Sequence, residues 1–424
     1  MTLFLLGGLV VLLLLGVPIG IAMGAVCLTY FVVNGVPLGT MVQQAISGSE
    51  SFVLTAIPLF MLAGELMNTA GITARLIRFC HALVGHFRGG LALVTIVACM
   101  IFAGMSGSTL AEIACIGTLM IPAMVKEGYR KEFSAAITAA AAEMGPIIPP
   151  SIPMVLTGAL ARVSVGRLFL GGAVPGVLYG LILMGMAHLV ARWRGYAKRP
   201  RASASEVWAS FRGALLALLT PLIIIGGILL GVFTPTEAAA IAAGYGLLLG
   251  AFVFRELAWA ALAKNLYDTA LATGTVMFIV GMANVYSYVL SRERLPEMAR
   301  DLLFSLSSNR YVVLALIIAA LLVLGCFLST TPALLLSVPL LAPIVPQMGY
   351  DPIHFYVIVT ITLILGTLTP PVALSLYLAS SIADVAPERC FLSLVPYLGA
   401  MLFVLLLTVL FPGLILWLPN VVFQ

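Results

Sequence analysis

The sequence predicts an all-helical membrane protein that crosses the bilayer many times and consists of two inverted repeats. Of its 424 residues, 62% are hydrophobic and only 9% are charged, whereas a soluble domain carries roughly 25% charged residues. Apolar stretches long enough to cross a hydrocarbon layer of about 30 Å recur along the chain. A block in the first half also recurs in the second half. Together these observations exclude an ordinary soluble protein.

Helices are favoured over strands because residues 215–232 are apolar on nearly every face. A strand of a membrane barrel would alternate apolar and polar residues instead. The six cysteines lie singly in apolar surroundings, so no disulfide framework and no zinc site is expected. The N-terminal stretch has neither a positive leader nor a small-residue cleavage site and is interpreted as a retained span. We expect no cofactor.

The chain divides into two repeats joined by a basic linker. The first repeat covers residues 1–191, the linker residues 192–210 and the second repeat residues 211–424. Within the repeats, Ser, Gly, Thr and Pro interrupt four apolar stretches, which we interpret as two re-entrant hairpins, at residues 105–125 and 326–345, and two broken helices, at residues 132–160 and 353–383. Residues 1–33 and 211–254 are each interpreted as one broken span.

The evidence for a duplication is an offset of 221 residues, which aligns residues 104–150 with residues 325–371 without a gap. Eleven of the 47 aligned positions are identical, and most are residues that bend or break helices. Five crossings and one hairpin in each repeat would insert the second copy upside down. This parity predicts a periplasmic N-terminus.

Positive charge supports this orientation, because cytoplasmic loops collect lysine and arginine. The loop at residues 126–131 and the linker are both basic, and we predict that both are cytoplasmic. Arg292, Arg294, Arg300 and Arg310 are assigned to the same side. Three basic residues are an exception and are predicted outside: Arg75, Arg78 and Arg88. Residues 74–87 have apolar residues at helical spacing and are predicted to form an interfacial amphipathic helix.

The first set of chemically interesting residues combines a serine-rich hairpin with the GPIIPPS break at residues 145–151. Proline removes backbone donors and unwinds the helix, which frees carbonyl oxygens in mid-membrane. Hard cations such as sodium prefer oxygen ligands. The predicted first cation site comprises Ser106, Gly107, Ser108, Thr109, Gly145, Pro149 and Ser151.

The second set repeats the first at the same offset. Its predicted cation site comprises Gly325, Ser329, Thr330, Thr331, Gly366, Thr367 and Thr369. Half-helix N-termini at the breaks would direct their positive dipole ends into the cavity, which suits a carboxylate substrate. Glu112 and Glu143 are intramembrane acids that could balance the charge of a cation. Proline kinks and small-residue helix packing are the alternative explanation of each set.

At these residues the chain resembles the large membrane subunit of the tripartite ATP-independent periplasmic (TRAP) transporters. The motifs are AGELM (63–67), GHFRGGLA (85–92), SGS (106–108), GPIIPPSI (145–152), TPTEAA (234–239) and LTPPVA (368–373). The resemblance implies an elevator-type, sodium-driven carrier of organic acids such as C4-dicarboxylates or sialic acid in the bacterial inner membrane. It also implies a four-helix small membrane subunit and a periplasmic binding protein. Ser329 stands where family members often carry an acidic residue.

Other functions remain open from the sequence alone. A stand-alone sodium-dicarboxylate symporter would share the inverted-repeat core but need no binding protein. A channel would lack coupling and saturation. An intramembrane enzyme would need a buried nucleophile and base or metal ligands, and the sequence has neither an HExxH motif nor a histidine beside the Ser and Glu clusters. The sequence does not identify the transported carboxylate.

Overall fold

Helices form the regular structure of residues 2–423, the part of the chain that the computed structural model describes, and no strand occurs within that part. The helices of the first half are α1 (Thr2–Leu14), α2 (Ile19–Val33), α3 (Leu38–Ser49), α4 (Phe52–Thr69), α5 (Ile72–Val84), α6 (Gly90–Ser106), α7 (Thr109–Lys126), α8 (Lys131–Ala142), α9 (Ile152–Ala161) and α10 (Val165–Trp193). Those of the second half are α11 (Ala204–Leu229), α12 (Pro235–Val253), α13 (Trp259–Arg292), α14 (Leu295–Leu306), α15 (Arg310–Phe327), α16 (Thr330–Leu341), α17 (Val345–Met348), α18 (Pro352–Thr367), α19 (Leu374–Ala383), α20 (Pro387–Leu410) and α21 (Gly413–Val422).

The predicted all-helical class is confirmed. Within residues 2–423, eight helices are long and apolar enough to cross a membrane. Local sequence determines several helix starts. Ser203 and Thr234 each form a reciprocal capping box with the glutamate three residues later, at the starts of α11 and α12. Asp351 accepts a hydrogen bond from the Ile353 amide at the start of α18.

The two hairpins turn earlier than the sequence predicted. Residues 105–125 contain only one arm: α7 is continuous from Thr109 to Lys126, and it packs back along α6. The chain therefore reverses at residues 107–108. In the second repeat the reversal is at residues 328–329, between α15 and α16, and not within residues 326–345 as a whole. The Ser, Gly and Thr residues mark the tip of each hairpin, while its first arm is apolar enough to resemble a complete span.

Each predicted broken helix contains a break. In residues 132–160, α8 ends at Ala142 and α9 begins at Ile152. In residues 353–383, α18 ends at Thr367 and α19 begins at Leu374. The breaks contain the consecutive prolines of each repeat, whose missing backbone donors prevent continuous helical pairing.

The two broken helices run in opposite directions. The Lys131 ammonium, at the start of α8, lies 3.3 Å from an Asp384 carboxylate oxygen, at the end of α19. The first half of one broken helix therefore packs beside the second half of the other, and α8 makes an extensive contact with α19. An inverted repeat requires this antiparallel pairing.

Two regions predicted as single broken spans each form two helices. Residues 211–254 contain most of α11 and all of α12, each long enough to cross the membrane. Residues 1–33 contain α1 and α2, which pack on each other, and α2 also packs along α13. Tyr286 of α13 donates a hydrogen bond to the Leu5 carbonyl, and Tyr30 of α2 donates to Glu293. The non-helical part of the linker, residues 194–203, is also shorter than the predicted 192–210.

The exception in the charge pattern disappears in the structure. Arg75 and Arg78, predicted on the face opposite the linker, line one cavity with Arg199 and Arg201 of the linker. The His188 ring likewise lies 3.1 Å from the Arg88 carbonyl oxygen. All three exceptional arginines therefore lie on the linker face.

Arg310 belongs to the opposite face. Its guanidinium lies 5.7 Å from the ring centroid of Tyr350. The repeat mate of Tyr350 is Tyr129, which stacks on Tyr196 of the linker at 4.2 Å. Because the repeats are inverted, these paired loops lie at opposite ends of the molecule, and the sequence assignment of Arg310 to the linker side was wrong. The assignment of Arg292, Arg294 and Arg300 to the linker side was wrong as well, because the end of α13 and the short helix α14 directly precede Arg310 on this face.

The predicted amphipathic helix at residues 74–87 corresponds to α5, which begins two residues earlier and ends at Val84. Its counterpart in the second repeat is α14, a second strongly amphipathic helix. The sequence analysis missed α14 because its basic residues were assigned to a loop.

Candidate functional site

The first hairpin tip packs directly against the first helix break. Gly107 has a φ of +63°, and a β-carbon at this position would lie 2.5 Å from the Pro150 carbonyl oxygen. Only glycine satisfies both the left-handed backbone and this close approach without strain. The hairpin tip is thereby held beside the helix break, so the two motifs of the predicted first cation site are neighbours in the structure.

Ser151 has a structural part in that break. Its hydroxyl donates to the Pro146 carbonyl oxygen, and its oxygen accepts from the Met154 amide at 3.2 Å. It therefore caps α9 and satisfies one of the carbonyls that the prolines release. Both its donor and its acceptor are occupied, and the side chain is fully buried.

In the second repeat, two predicted site residues are packing contacts. A β-carbon on Gly325 would lie 2.9 Å from the Gly366 Cα, and one on Gly366 would lie 2.6 Å from the Gly325 Cα. The two glycines thus allow the backbones of α15 and α18 to touch. This contact accounts for both glycines of the second repeat without a ligand.

A cavity of about 170 Å³ lies where both hairpin tips and both breaks meet. Its lining consists of Gly107, Ser108, Thr109, Leu110, Pro146, Ile152, Pro153, Ser329, Thr330, Thr331, Thr367, Leu374 and Ser375. No charged side chain of the described residues is in this lining. Hydroxyl groups from both repeats are part of this lining.

Four helix N-termini converge on this cavity. Thr109 begins α7, Ile152 begins α9, Thr330 begins α16 and Leu374 begins α19, and all four residues line it. Each N-terminus presents unpaired backbone amides and the positive end of the helix dipole. The four helix ends therefore direct partial positive charge at a cavity that has no basic side chain in its lining, a combination that suits an anion.

Glu143 connects the two repeats beside the cavity. Its Oε2 accepts a hydrogen bond from Thr109 at 2.9 Å, and its Oε1 lies 3.5 Å from the Thr367 hydroxyl of the second repeat, which donates to the Ile364 carbonyl oxygen at 2.7 Å. Ser375, at the start of α19, is also within hydrogen-bonding reach. The carboxylate is completely buried, so it acts through these hydroxyl groups on both halves of the site.

Glu112 is equally buried but does not line the cavity. One oxygen accepts a hydrogen bond from Ser106 at 3.3 Å, while Oε2 has no partner among the described residues. Oε1, the oxygen that accepts from Ser106, lies so close to Gly145 that a β-carbon at Gly145 would collide with it. Gly145 therefore makes room for the glutamate, and Ser106 is committed to it.

Half of the predicted site residues line the cavity. Those that do are Gly107, Ser108, Thr109, Ser329, Thr330, Thr331 and Thr367. Those that do not are Ser106, Gly145, Pro149, Ser151, Gly325, Gly366 and Thr369. The hydroxyl of Thr369 donates to the Leu365 carbonyl, as expected for a residue that stabilises a helix end. Six of the seven lining residues lie at a hairpin tip or a helix start, and the seventh, Thr367, ends α18.

The sequence analysis missed six of the lining residues. These are Leu110, Pro146, Ile152, Pro153, Leu374 and Ser375. A search for the first residues of the helices that restart after the prolines would have found Ile152, Pro153, Leu374 and Ser375. Ser375 was overlooked because its repeat mate is Met154, which has no hydroxyl group.

Comparison with known proteins agrees with this architecture. The family profile described as "Tripartite ATP-independent periplasmic transporter, DctM component" matches residues 6–414. The structure of the Alcanivorax borkumensis YdaH transporter is similar in fold, with a TM-score of 0.61 over 89% of this chain and 87% of that chain, at 14% sequence identity.

Three curated relatives are similar over most of this chain. The sialic acid TRAP transporter large permease protein SiaM of Vibrio cholerae is 40% identical over 410 residues, which are 96% of each chain. The C4-dicarboxylate TRAP transporter large permease protein DctM of Pseudomonas aeruginosa is 40% identical over 88% of this chain and 87% of that protein. The isethionate TRAP transporter permease protein DctMQ of Oleidesulfovibrio alaskensis is 39% identical over 95% of this chain and 64% of that protein.

All three relatives are named as transporter permeases, which confirms the prediction of a transporter and not an enzyme. The profile match covers nearly the whole chain, including both hairpins and both breaks. The resemblance inferred from the motifs is therefore confirmed: this multi-pass membrane protein belongs to the family of DctM components of tripartite ATP-independent periplasmic transporters.

Proposed function

We propose that the chain carries a small organic acid across the bacterial inner membrane by sodium-coupled alternating access. The observation that supports the substrate class is the central cavity, where four helix N-termini meet without a basic side chain. Such a site attracts a carboxylate by backbone dipoles and amides. It also releases the anion more readily than a buried arginine pair would, which suits a carrier.

Sodium is proposed to bind at the two hairpin tips. Ser108 and Ser329 precede α7 and α16, and neither makes a side-chain capping hydrogen bond. Their oxygens are therefore free to bind a cation together with nearby hydroxyl groups and tip carbonyls. A sodium ion beside the carboxylate would offset its charge in the membrane interior, so each ligand would strengthen binding of the other.

The moving unit is proposed to comprise α6 to α9 and α15 to α19. These helices are joined by the Glu143 contact with Thr367 and by the packing of α9 on α16 and of α8 on α19. The remaining helices would form the scaffold against which this unit shifts as a rigid body. The moving unit would shift across the membrane when it is fully loaded or empty. It would not shift with sodium alone, because a bound sodium ion without the anion leaves an uncompensated charge in the membrane.

The substrate class follows from the relatives, which are named for sialic acid, C4-dicarboxylates and isethionate. All are organic anions. The cavity volume of about 170 Å³ is below the roughly 300–1,000 Å³ of typical small-molecule sites, which favours the smaller acids.

The proposed partners are a four-helix small membrane subunit and a periplasmic substrate-binding protein. The family match does not favour the alternative of a stand-alone symporter. The proposed orientation has the linker in the cytoplasm and the N-terminus in the periplasm. Arg75, Arg78, Lys131 and Arg199 lie on the linker face, in keeping with the positive-inside rule.

The test is transport by the purified complex in proteoliposomes with each of the three acids supplied on its binding protein. We expect saturable uptake of one acid that requires an inward sodium gradient and stops when potassium replaces sodium. Uptake without a binding protein would favour the stand-alone symporter. Uptake that neither saturates nor responds to sodium would disprove the proposed coupling.

A further inference from the structure

A second cavity, of about 760 Å³, lies between α5, the linker and the first turns of α11. It shares no lining residue with the central cavity. Its walls are strongly basic and include Arg75, Arg78, His81, His86, Arg199 and Arg201. Nothing in the proposed transport cycle uses these residues.

Two of the four arginines are already neutralised. Arg75 forms an ion pair with Glu256 at 2.6 Å, and its guanidinium lies 4.0 Å from the centroid of the Phe254 ring. Arg199 forms an ion pair with Glu127 and also contacts the His81 ring. Burial, together with the Arg199 guanidinium, lowers the pKa of His81, so this histidine adds no charge near neutral pH.

The other two arginines have no counter-charge. Arg78 and Arg201 are exposed to the cavity, and no acidic side chain within residues 2–423 pairs with either one. The one carboxylate in the lining, Glu206, accepts a hydrogen bond from the Ser203 amide at 2.7 Å and belongs to a helix cap. Two guanidinium groups thus face one open cavity, an arrangement that suits a phosphate.

The surroundings place this cavity at the level of lipid headgroups. Trp208, which is 60% exposed, stacks on Phe211 at 5.6 Å, and Phe211 lies 5.7 Å from Phe79 of α5. Exposed aromatic residues at a helix entrance mark the membrane interface. The helix α5 is amphipathic and lies beside the first turns of α11. A lipid in the adjacent leaflet can therefore reach the cavity with its headgroup while its chains stay in the bilayer.

We propose that this cavity binds the headgroup phosphate of an anionic phospholipid of the phosphatidylglycerol or cardiolipin class, held by Arg78 and Arg201. Basic pockets between membrane helices on the cytoplasmic side recognise such lipids. The bound lipid would join α5 to α11 and the linker. Because this proposal uses no residue of the transport site, it can be tested independently of the proposed function.

The test compares lipid retention by the full-length chain in detergent, measured by native mass spectrometry with added phosphatidylglycerol or phosphatidylcholine. The variants are Arg78→Gln/Arg201→Gln, the charge-retaining Arg78→Lys/Arg201→Lys, and the control Arg192→Gln/Arg389→Gln, which removes two exposed arginines outside the cavity. Each arginine near the headgroups contributes about fivefold to affinity. We expect the first variant to bind phosphatidylglycerol about 10-fold to 30-fold more weakly and the other two to resemble the wild type within about threefold.

Three results would overturn the proposal: equal retention of both lipids by the wild type, an equal loss in the control variant, or displacement of the lipid by millimolar inorganic phosphate. The last result would assign the site to a soluble phosphate. If the double glutamine variant does not fold, Arg78→Gln and Arg201→Gln are measured singly, each with an expected loss of about fivefold.

Discussion

One carboxylate oxygen of Glu143 in the first repeat lies 3.5 Å from the Thr367 hydroxyl of the second, although 224 residues separate them in the chain. The other oxygen accepts a hydrogen bond from Thr109 at the tip of the first hairpin. One buried acid therefore connects a hairpin tip with the opposite helix break. This contact makes the central cavity a single site and not two independent ones.

Replacing Glu143 by glutamine should impair transport without preventing insertion. The amide removes the negative charge and one of the two acceptor oxygens toward which Thr109 and Ser375 are directed, and a buried hydrogen bond that is lost costs about 1–3 kcal/mol. We expect uptake to fall about 10-fold at fixed sodium, measured in proteoliposomes. The control is Glu132→Gln, which changes a partly exposed acid at the start of α8, away from the cavity. Wild-type uptake by the Glu143 variant would remove this residue from the site.

Glutamine at Glu112 should have a much smaller effect. Glu112 does not line the cavity, and its Oε2 has no partner to lose. We expect the sodium concentration for half-maximal uptake to change less than about twofold, because sodium is proposed to bind elsewhere. A shift of 10-fold or more would show that the Glu112 charge balances the bound cation, as the sequence suggested.

Alanine at Gly107 should uncouple the first hairpin tip from the helix break. The added β-carbon would meet the Pro150 carbonyl oxygen, and the left-handed backbone alone costs about 1 kcal/mol or more for a residue with a side chain. We expect uptake to fall at least 10-fold and the thermal midpoint to drop by several degrees. Gly185→Ala is the matched control, because a β-carbon at Gly185 meets no atom within 4 Å. Equal behaviour of the two variants would contradict the packing of the tip.

Single alanine substitutions should separate ligand hydroxyls from structural ones. Ser108, Ser329 and Thr330 line the cavity, whereas Ser106 and Thr369 are hydrogen-bonded away from it. We expect the first three substitutions to raise the sodium concentration for half-maximal uptake about threefold to 10-fold, because each removes one proposed oxygen ligand. Ser106→Ala and Thr369→Ala serve as controls with near-normal sodium dependence. Unchanged dependence in Ser108, Ser329 and Thr330 variants would reject the proposed tip sites.

Much of the fold was predictable because it depends on local chemistry. Proline pairs must break a helix in any context, and glycine, serine and threonine mark the places where the chain turns. The same residues recur at one offset, which is why the duplication and the family were recognisable. The tips of both hairpins were therefore among the predicted site residues, although their arms were assigned incorrectly.

The first arm of each hairpin was mistaken for a complete span because hydropathy does not distinguish a complete crossing from one arm of a hairpin. The helix α6 is almost entirely apolar, yet it ends at Gly107 because its partner α7 packs back along it. Similarly, Arg75 and Arg78 were assigned to the wrong face because residues 1–33 were counted as one crossing, whereas they form two helices that pack on each other. Both errors concern which segments meet in space.

The amino-acid sequence by itself determined that the chain lies in a membrane, that it is duplicated, and where its helices break, since composition and proline act locally. Tertiary structure decided which hydroxyls face the cavity and which cap helices, as the contrast between Ser108 and Ser151 illustrates. It also decided that Glu143 serves both repeats. The physical reason is that a buried polar group satisfies its hydrogen bonds with the nearest available partner, and packing alone determines which partner that is.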